Sequence, residues 1–300
     1  MNILTQDHIY LNTEQAAVYL DIKERKLYEM VAQRAVPCSK VTGKWLFPRA
    51  ALDRWVEAGL TVPDGFSAQA APAIIGGSHD PLLEWAARRS GCGLALLSEG
   101  SAHGLHRLDR NEIALAALHL HEDETAADAN VAAVRASPHL HDAVVVAFAR
   151  REQGLMVAVD NPLKLTSLEA SITLGARFGQ RQSGAGAQLL LQALLTQVGK
   201  ALSDLPTAGE AFATGQDLAF AIRTGDVDCG IATRAVANAN GLGFVPLAWE
   251  QFDLALRRHT YFEAGPQKLF GLMRDPEFHR HAAILGGYDT SEAGAVRMNR

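Results

Sequence analysis

The side chains with the most chemical capacity lie in short polar loops of this 300-residue chain. Ser78, His79 and Asp80 are the residue types of a nucleophile, a base and an orienting acid. Consecutive residues do not readily reach that mutual geometry, so the triplet spells a triad without forming one. Its setting says more. Ile75-Gly-Gly-Ser-His-Asp80 follows an apolar run and opens a helix at Pro81, so Ser78, His79 and nearby backbone N–H groups face whatever binds there. Ser98-Glu-Gly-Ser-Ala-His-Gly104 repeats the arrangement and offers Ser101. Gln182-Ser-Gly-Ala-Gly-Ala187 precedes a long helical stretch, so Ser183 and the backbone of Gly184, Ala185, Gly186 and Ala187 have the form of an anion cradle. Arg181 beside it is a source of positive charge, the other reading being a surface salt bridge. His119-Leu-His121 with Glu122, Asp123 and Glu124 sets two imidazoles on one face of an extended segment. No third ligand follows at a recognisable spacing, so we expect no metal and no cofactor. His139-x-His141 and His279-x-His281 read as exposed loop and helix residues.

A second kind of chemistry lies near the N-terminus. Between Lys23 and Arg49 there are seven basic and two acidic residues, whereas the whole chain carries 28 against 33 and a net charge of −5. The total argues against a protein that coats nucleic acid; the local excess marks one small basic region. Asn12-Thr-Glu-Gln15 has the form of a capping box, which predicts a helix over 13–20. Leu27, Met30 and Val31 at helical spacing predict a second helix, with Lys23, Arg25 and Lys26 at its start. Val36 to Val41 and Lys44 to Phe47 read as two short strands around Thr42-Gly43, followed by a closing helix over 49–57. Helix, turn, helix and wing is the layout.

The elements that must position the other loops alternate. Apolar runs at 73–75, 94–97, 113–118, 144–148, 155–159, 228–232 and 244–247 are separated by helical stretches such as 81–89, 127–135, 187–198 and 235–240. Such alternation predicts an α/β architecture with parallel sheets, whose ligands gather at the carboxyl ends of the strands. The Pro-, Gly- and Ala-rich stretch at about Gly59 to Ala71 predicts a boundary: a DNA-binding domain over 1–60, a linker over 61–72 and a ligand-sensing domain over 73–300. Hydrophobic content of 48% and charged content of 20% exclude a disordered or membrane class. Cys38, Cys92 and Cys229 are odd in number and widely spaced, so they read as reduced packing residues. Met1 to Tyr10 has no leader pattern and no run reaches spanning length, so we expect a cytoplasmic chain without membrane partners.

Two resemblances sharpen this reading. Leu11-Asn-Thr-Glu-Gln-Ala-Ala-Val-Tyr-Leu20, Leu27-Tyr-Glu-Met-Val31 and Lys44-Trp-Leu-Phe-Pro-Arg-Ala-Ala-Leu-Asp-Arg-Trp55 resemble the excisionase-like winged helix-turn-helix family, related to the DNA-binding domains of the MerR regulators. The resemblance implies a recognition helix in the major groove with Lys23, Arg25, Lys26 and Tyr28 near double-stranded DNA, and a wing from Lys40 to Lys44 on the backbone. Lys23 stands where the family usually has a capping Ser or Thr. Farther on, Gly76-Gly-Ser-His-Asp80, Gly100-Ser-Ala-His-Gly-Leu105, Arg151-Glu-Gln-Gly-Leu155, Arg181-Gln-Ser-Gly-Ala-Gly186 and Gly225-Asp-Val-Asp-Cys-Gly230 resemble the binding-protein-like domain joined to bacterial winged-helix regulators, related to type 2 periplasmic binding proteins of the molybdate and tungstate class. This implies two lobes, two crossovers near 149–153 and 242–247, and a ligand between the lobes. The family's glycine-rich loop commonly carries Gly-Ser-Gly-Thr followed by Arg. Here Gly184-Ala-Gly-Ala-Gln188 lacks two hydroxyls and a guanidinium, which opens the site to a small anion or a divergent polar ligand.

The function expected is therefore a ligand-responsive transcriptional regulator, a homodimer by analogy with helix-turn-helix proteins that read paired half-sites. An α/β hydrolase or transferase is the alternative from another class, but no G-x-S-x-G, phosphate-binding Walker loop or dinucleotide fingerprint is present. A ligand-binding protein with a vestigial DNA domain is the third reading.

Overall fold

The computed structural model describes residues 9–59, 70–120 and 128–300. Two units share the chain, Met1–Gln69 and Ala70–Arg300. In the first, strand β1 (Tyr10–Leu11) leads into helix α1 (Thr13–Tyr19), where Asn12 and Gln15 cap one another as their spacing implies. Helix α2 (Glu24–Ala32) starts at Lys23, which makes no side-chain cap. Leu27 and Val31 turn inward, meeting Ala16, Ala17, Phe47 and Leu52 in one small core. Strand β2 (Phe47–Pro48) pairs antiparallel with β1, and α3 (Arg49–Ala58) closes the unit. The expected hairpin is reduced to a single antiparallel bridge, Ser39 to Leu46, closed by a turn in which Gly43 N–H donates to Lys40 carbonyl at φ +80°. Phe47 is drawn away to β1 because its ring is fully buried there.

The second unit opens with β3 (Ile74–Gly77), α4 (Pro81–Ser90), β4 (Ala95–Ser98), α5 (Ser101–Asp109), β5 (Leu115–Leu118) and α6 (Ala129–Ala136). Strand β6 (Ala143–Val157) follows, then α7 (Leu168–Thr173), α8 (Gly186–Gln197), α9 (Gly215–Thr224), β7 (Cys229–Thr233), α10 (Arg234–Ala239) and β8 (Gly243–Arg257). The chain ends with α11 (Arg258–Tyr261), α12 (Ala264–Met273), α13 (Pro276–Leu285), β9 (Tyr288–Asp289) and β10 (Val296–Asn299).

The sheet is mixed, where the sequence pattern suggested parallel. β4, β3 and β5 are parallel, and the order continues β5-β8-β6-β10 through antiparallel pairs. The two runs expected at 144–148 and 155–159 are one 15-residue strand, β6, paired along its length with the equally long β8. Their ends serve different bodies. Asp253–Leu256 of β8 pairs with β5, while Gln153–Val157 of β6 pairs with β7. The register slips at Ala147/Ala149 and at Gln153/Gly154, which isolates Ala149–Gln153 opposite Ala248–Phe252. These ten positions join two lobes. The second crossover therefore falls a few residues after the expected 242–247, because antiparallel partners must cross between bodies at the same height.

Each lobe has its own core. Alternation along β6 sends Val144, Val146 and Phe148 to one face of the first lobe and Ala143 and Val145 to the other. In the second lobe Leu155 and Val157 face the α8 side, and Met156 faces α9. Among the described residues no helix is long and apolar enough to cross a membrane.

Candidate functional site

A small cavity of about 30 Å³ lies between the lobes, with room for a few water-sized positions. The first lobe contributes Ser78, His79, Ser98, Gly100 and His119, the second Arg181, Ala185, Gly186, Ala187, Gly215 and Thr233, and the crossing strand Arg151 and Gln153. Six of the nine expected ligand residues therefore line one space: Ser78, His79, Arg181, Ala185, Gly186 and Ala187. Three do not. Ser101 stands behind the lining, fully buried, its hydroxyl 2.8 Å from that of Ser78 and accepting from His119 N–H at 2.9 Å. Ser183 is exposed, and neither it nor Gly184 lines the cavity; the Gly184 backbone lies against Gly100 of the first lobe instead.

Glycine brings the first-lobe loops together. Gly77, at φ +106°, lies so close to the first turn of α5 that a Cβ on Gly104 would come within 2.5 Å of Gly77 Cα. That contact seats α5 on the end of β3 and sets Ser101 against Ser78. The letters of the triad scatter accordingly. Ser78 bonds Ser101, His79 Nε2 lies 3.3 Å from Glu84, and Asp80 caps α4 while holding Arg151 at 2.8 Å and accepting from Tyr288.

Arg151, which entered the sequence reading as part of a resemblance motif and not as a ligand residue, is a fully buried cation held by two carboxylates. Its guanidinium is 1% exposed; Nε donates to Glu250 at 2.5 Å and Nη1 to Asp80, and its face packs 4.0 Å from the Phe252 ring centre. Burial opposes its charge, but Glu250 and Asp80 outweigh that and hold it above the ordinary arginine range. Nη2 is the nitrogen engaged by neither carboxylate. Gln153 hangs from the same strand, 2% exposed, with Nε2 donating to Glu250 at 2.8 Å.

Arg181 is different. It has no carboxylate within salt-bridge distance among the described residues; the carbonyls of Phe212 and Ala213 fix Nε and Nη2 at 3.0 and 2.7 Å. Burial, with a smaller contribution from Arg151, pushes it down to about 10 against a partial offset from Asp217. It remains a cation at neutral pH. Beside it α8 begins at Gly186 with no side-chain cap, so its first N–H groups add to the positive potential of the helix end. The cleft thus sets a guanidinium held only by carbonyls, among the described residues, and a helix N-terminus on one lobe against hydroxyls on the other. Among the described residues Arg181 forms no salt bridge of the kind its alternative reading required.

The lobes meet closely. A Cβ on Gly186 would lie 1.9 Å from His119 Nε2, and one on Gly100 would lie 3.0 Å from the Gly184 carbonyl. His119, weighed in the sequence for a metal, thus serves as a wall of the cleft, while His121 and the acids after it lie outside the described residues. Among those residues no group of three metal-ligating side chains converges. A neighbouring space of about 170 Å³ shares Ser78, His79 and Ser98 and adds Leu83, Leu96 and Leu97, so the first lobe has an apolar annex next to the polar cavity.

In the N-terminal unit Lys23, Arg25, Lys26, Tyr28, Lys40 and Lys44 are all exposed. Arg25 and Tyr28 are solvent-exposed on α2, outside the face that buries Leu27 and Val31. Arg25 and Lys26 are only loosely paired with Glu29, at 3.4 and 3.9 Å, which leaves both heads in solvent. Lys40 packs over the Trp45 ring at 5.1 Å, tying the turn to the body of the unit.

Comparison with known proteins follows this division. A family model described as a helix-turn-helix domain matches residues 10–59, and one described as a PBP superfamily domain matches residues 83–274. The uncharacterized protein YvgK of Bacillus subtilis (strain 168) is 23% identical over 198 residues, 66% of this chain and 63% of its own length. The chain thus spans less than two thirds of that curated relative. Among solved structures, a putative phosphate ABC transporter substrate-binding protein from Clostridium perfringens, with bound phosphate, aligns at TM-score 0.55 and 13% identity over 71% of this chain and 96% of its own. A tungstate ABC transporter from Geobacter sulfurreducens aligns at 0.51 and 14% over 70% and 97%. A peroxide-bound OxyR variant from Corynebacterium glutamicum aligns at 0.51 and 14% over 91% and 89%. These likenesses are of fold. With its two lobes joined by β6 and β8 and the matched model covering well over half its length, the chain belongs to the PBP superfamily, and it carries a helix-turn-helix domain ahead of that part.

Proposed function

We propose that this protein is a ligand-responsive DNA-binding regulator whose effector is a small oxyanion held in the interlobe cleft. The observation that carries the ligand half is Arg181, a half-buried cation without a carboxylate at salt-bridge distance among the described residues, set beside the uncapped start of α8. An anion there gains a charge-assisted pair and several N–H donors, and relieves the cost of burying Arg181 alone. The DNA half is supported by the exposed basic face of α2 and the matched helix-turn-helix domain. Phosphate contacts from Lys23, Arg25, Lys26, Lys40 and Lys44 fix the position of the unit on a duplex, and Arg25 and Tyr28 are placed to reach base edges.

Coupling follows from the cleft. An anion bound to both walls favours the closed arrangement of the lobes, and it alters DNA affinity to the extent that DNA prefers one arrangement. We assign a homodimer as the acting form because helix-turn-helix proteins read paired half-sites. Thermal unfolding with phosphate, sulfate, molybdate and tungstate tests the ligand half, since a specific ligand raises the midpoint by mass action. A gel shift with and without the anion tests the DNA half. Absence of a midpoint rise with every oxyanion, or of a specific shift, overturns the corresponding half.

A further inference from the structure

One residue lining the cleft carries an acceptor whose direction is fixed. Gln153 is 2% exposed, lines the cleft, and donates from Nε2 to Glu250 Oε1 at 2.8 Å. That same carboxylate oxygen also accepts from Arg151 Nε. An amide flip would set the carbonyl oxygen of Gln153 against a carboxylate oxygen, so Nε2 belongs on Glu250 and Oε1 must point away from it. Among the described residues Oε1 is buried without a hydrogen-bond partner. A buried acceptor left in that condition costs free energy unless a ligand supplies a donor.

The charged and helix-end groups of the cleft are donors only: Arg151 Nη2, Arg181, and the first N–H groups of α8. A fully ionised oxyanion satisfies all of them and leaves Gln153 Oε1 unmet. An oxyanion that keeps a proton satisfies both kinds. We propose that the site selects a protonated oxyanion, hydrogen phosphate or a close analogue, over fully ionised sulfate, molybdate and tungstate, with the ligand O–H donating to Gln153 Oε1. Gln153 is thus a specificity-determining residue. The inference rests on the proposed anion site and deepens it. It also gives a chemical reason for a glycine-rich loop that lacks the hydroxyls and arginine common in the molybdate and tungstate class.

The test pairs ions by size. Sulfate is the fully ionised counterpart of hydrogen phosphate, and molybdate of hydrogen arsenate. Calorimetry at pH 7 on the full chain is expected to show phosphate and arsenate binding on the order of 10–100-fold more tightly than sulfate and molybdate, the range set by one buried unmet acceptor. In Gln153→Met, which keeps the volume and removes the acceptor, the preference is expected to shrink below about threefold, with sulfate binding no weaker than in the parent. Should that variant fail to fold, the four-ion series on the parent decides alone. Equal affinity for all four ions, or tighter sulfate and molybdate, overturns the proposal and leaves the anion site standing. Binding of none of them overturns the anion site as well.

Discussion

Closure of the cleft can be blocked with one methyl group. In Gly186→Ala the new Cβ would lie 1.9 Å from His119 Nε2 and 2.4 Å from the His119 backbone carbonyl. Real contacts of this kind do not fall below 3.0 Å, so the walls must part by 0.6 Å for the carbonyl and 1.1 Å for the ring. The ring cannot swing aside freely. Its Nδ1 lies 3.4 Å from Ser101 Oγ, which also anchors the His119 N–H at 2.9 Å. Hydrogen bonds from both lobes to one small anion are optimal at about 2.7–3.1 Å, and an opening of that size breaks at least one of them. Losing one charge-assisted bond costs about 1.5–3 kcal/mol, which is roughly 10–150-fold in affinity. Alanine is a better helix former than glycine, so neither lobe is expected to lose stability of its own. The assay is calorimetry with phosphate beside thermal unfolding without ligand. Gly271→Ala, in α12 with nothing within 4 Å of the new methyl, is the control and should leave affinity unchanged. A Gly186→Ala protein that binds phosphate as tightly as the parent would refute the closed-cleft geometry.

Other outcomes follow from the same contacts. Arg181→Gln keeps an amide for the Phe212 and Ala213 carbonyls but removes the charge, so the phosphate-induced rise in unfolding midpoint should be lost while the unliganded fold remains; a preserved rise would move the anion elsewhere. Because burial pushes Arg181 down to about 10, and an anion needs the protonated form, affinity should be flat from neutral pH upward and fall as pH rises through 10; a loss centred well below that value would indict another group. Asp80→Ala removes the α4 cap and one of the two carboxylates on buried Arg151, and should cost about 3 kcal/mol or more in urea unfolding. Arg25→Ala should weaken DNA binding and lower the slope of log affinity against log salt by about one if Arg25 contacts a phosphate; an unchanged slope and affinity would remove α2 from the interface.

The parts of this architecture legible in the sequence were local. Asn12 and Gln15 announce their capping box, and loops such as Ser78-His79 and Gly186-Ala187 announce helix starts because glycine, small residues and hydroxyls serve the same purpose in many folds. Long-range pairing was less visible. Arg150-Arg-Glu-Gln-Gly154 breaks the apolar pattern of β6, so one strand reads as two; the polar residues are tolerated there because they meet the cleft and the Glu250–Asp80 pair instead of a core. The interruption was itself the signal for Arg151 and Gln153, since polar residues inside an otherwise buried strand need a partner. Composition does not tell which side of a loop faces a cleft, and Ser183 is exposed and outside the cavity lining. The net charge of −5 misled for a related reason: it averages a basic 23–49 segment into an acidic chain.

The most direct test of regulation uses the full chain and a labelled duplex selected by it from random DNA, titrated by fluorescence anisotropy with and without saturating phosphate. A ligand that couples to the DNA-binding unit should change the dissociation constant by about 5–150-fold, in either direction, and the change should vanish in Arg181→Gln. Selection of no duplex, or one affinity with and without the anion while calorimetry shows the cleft filled, would contradict the regulatory reading.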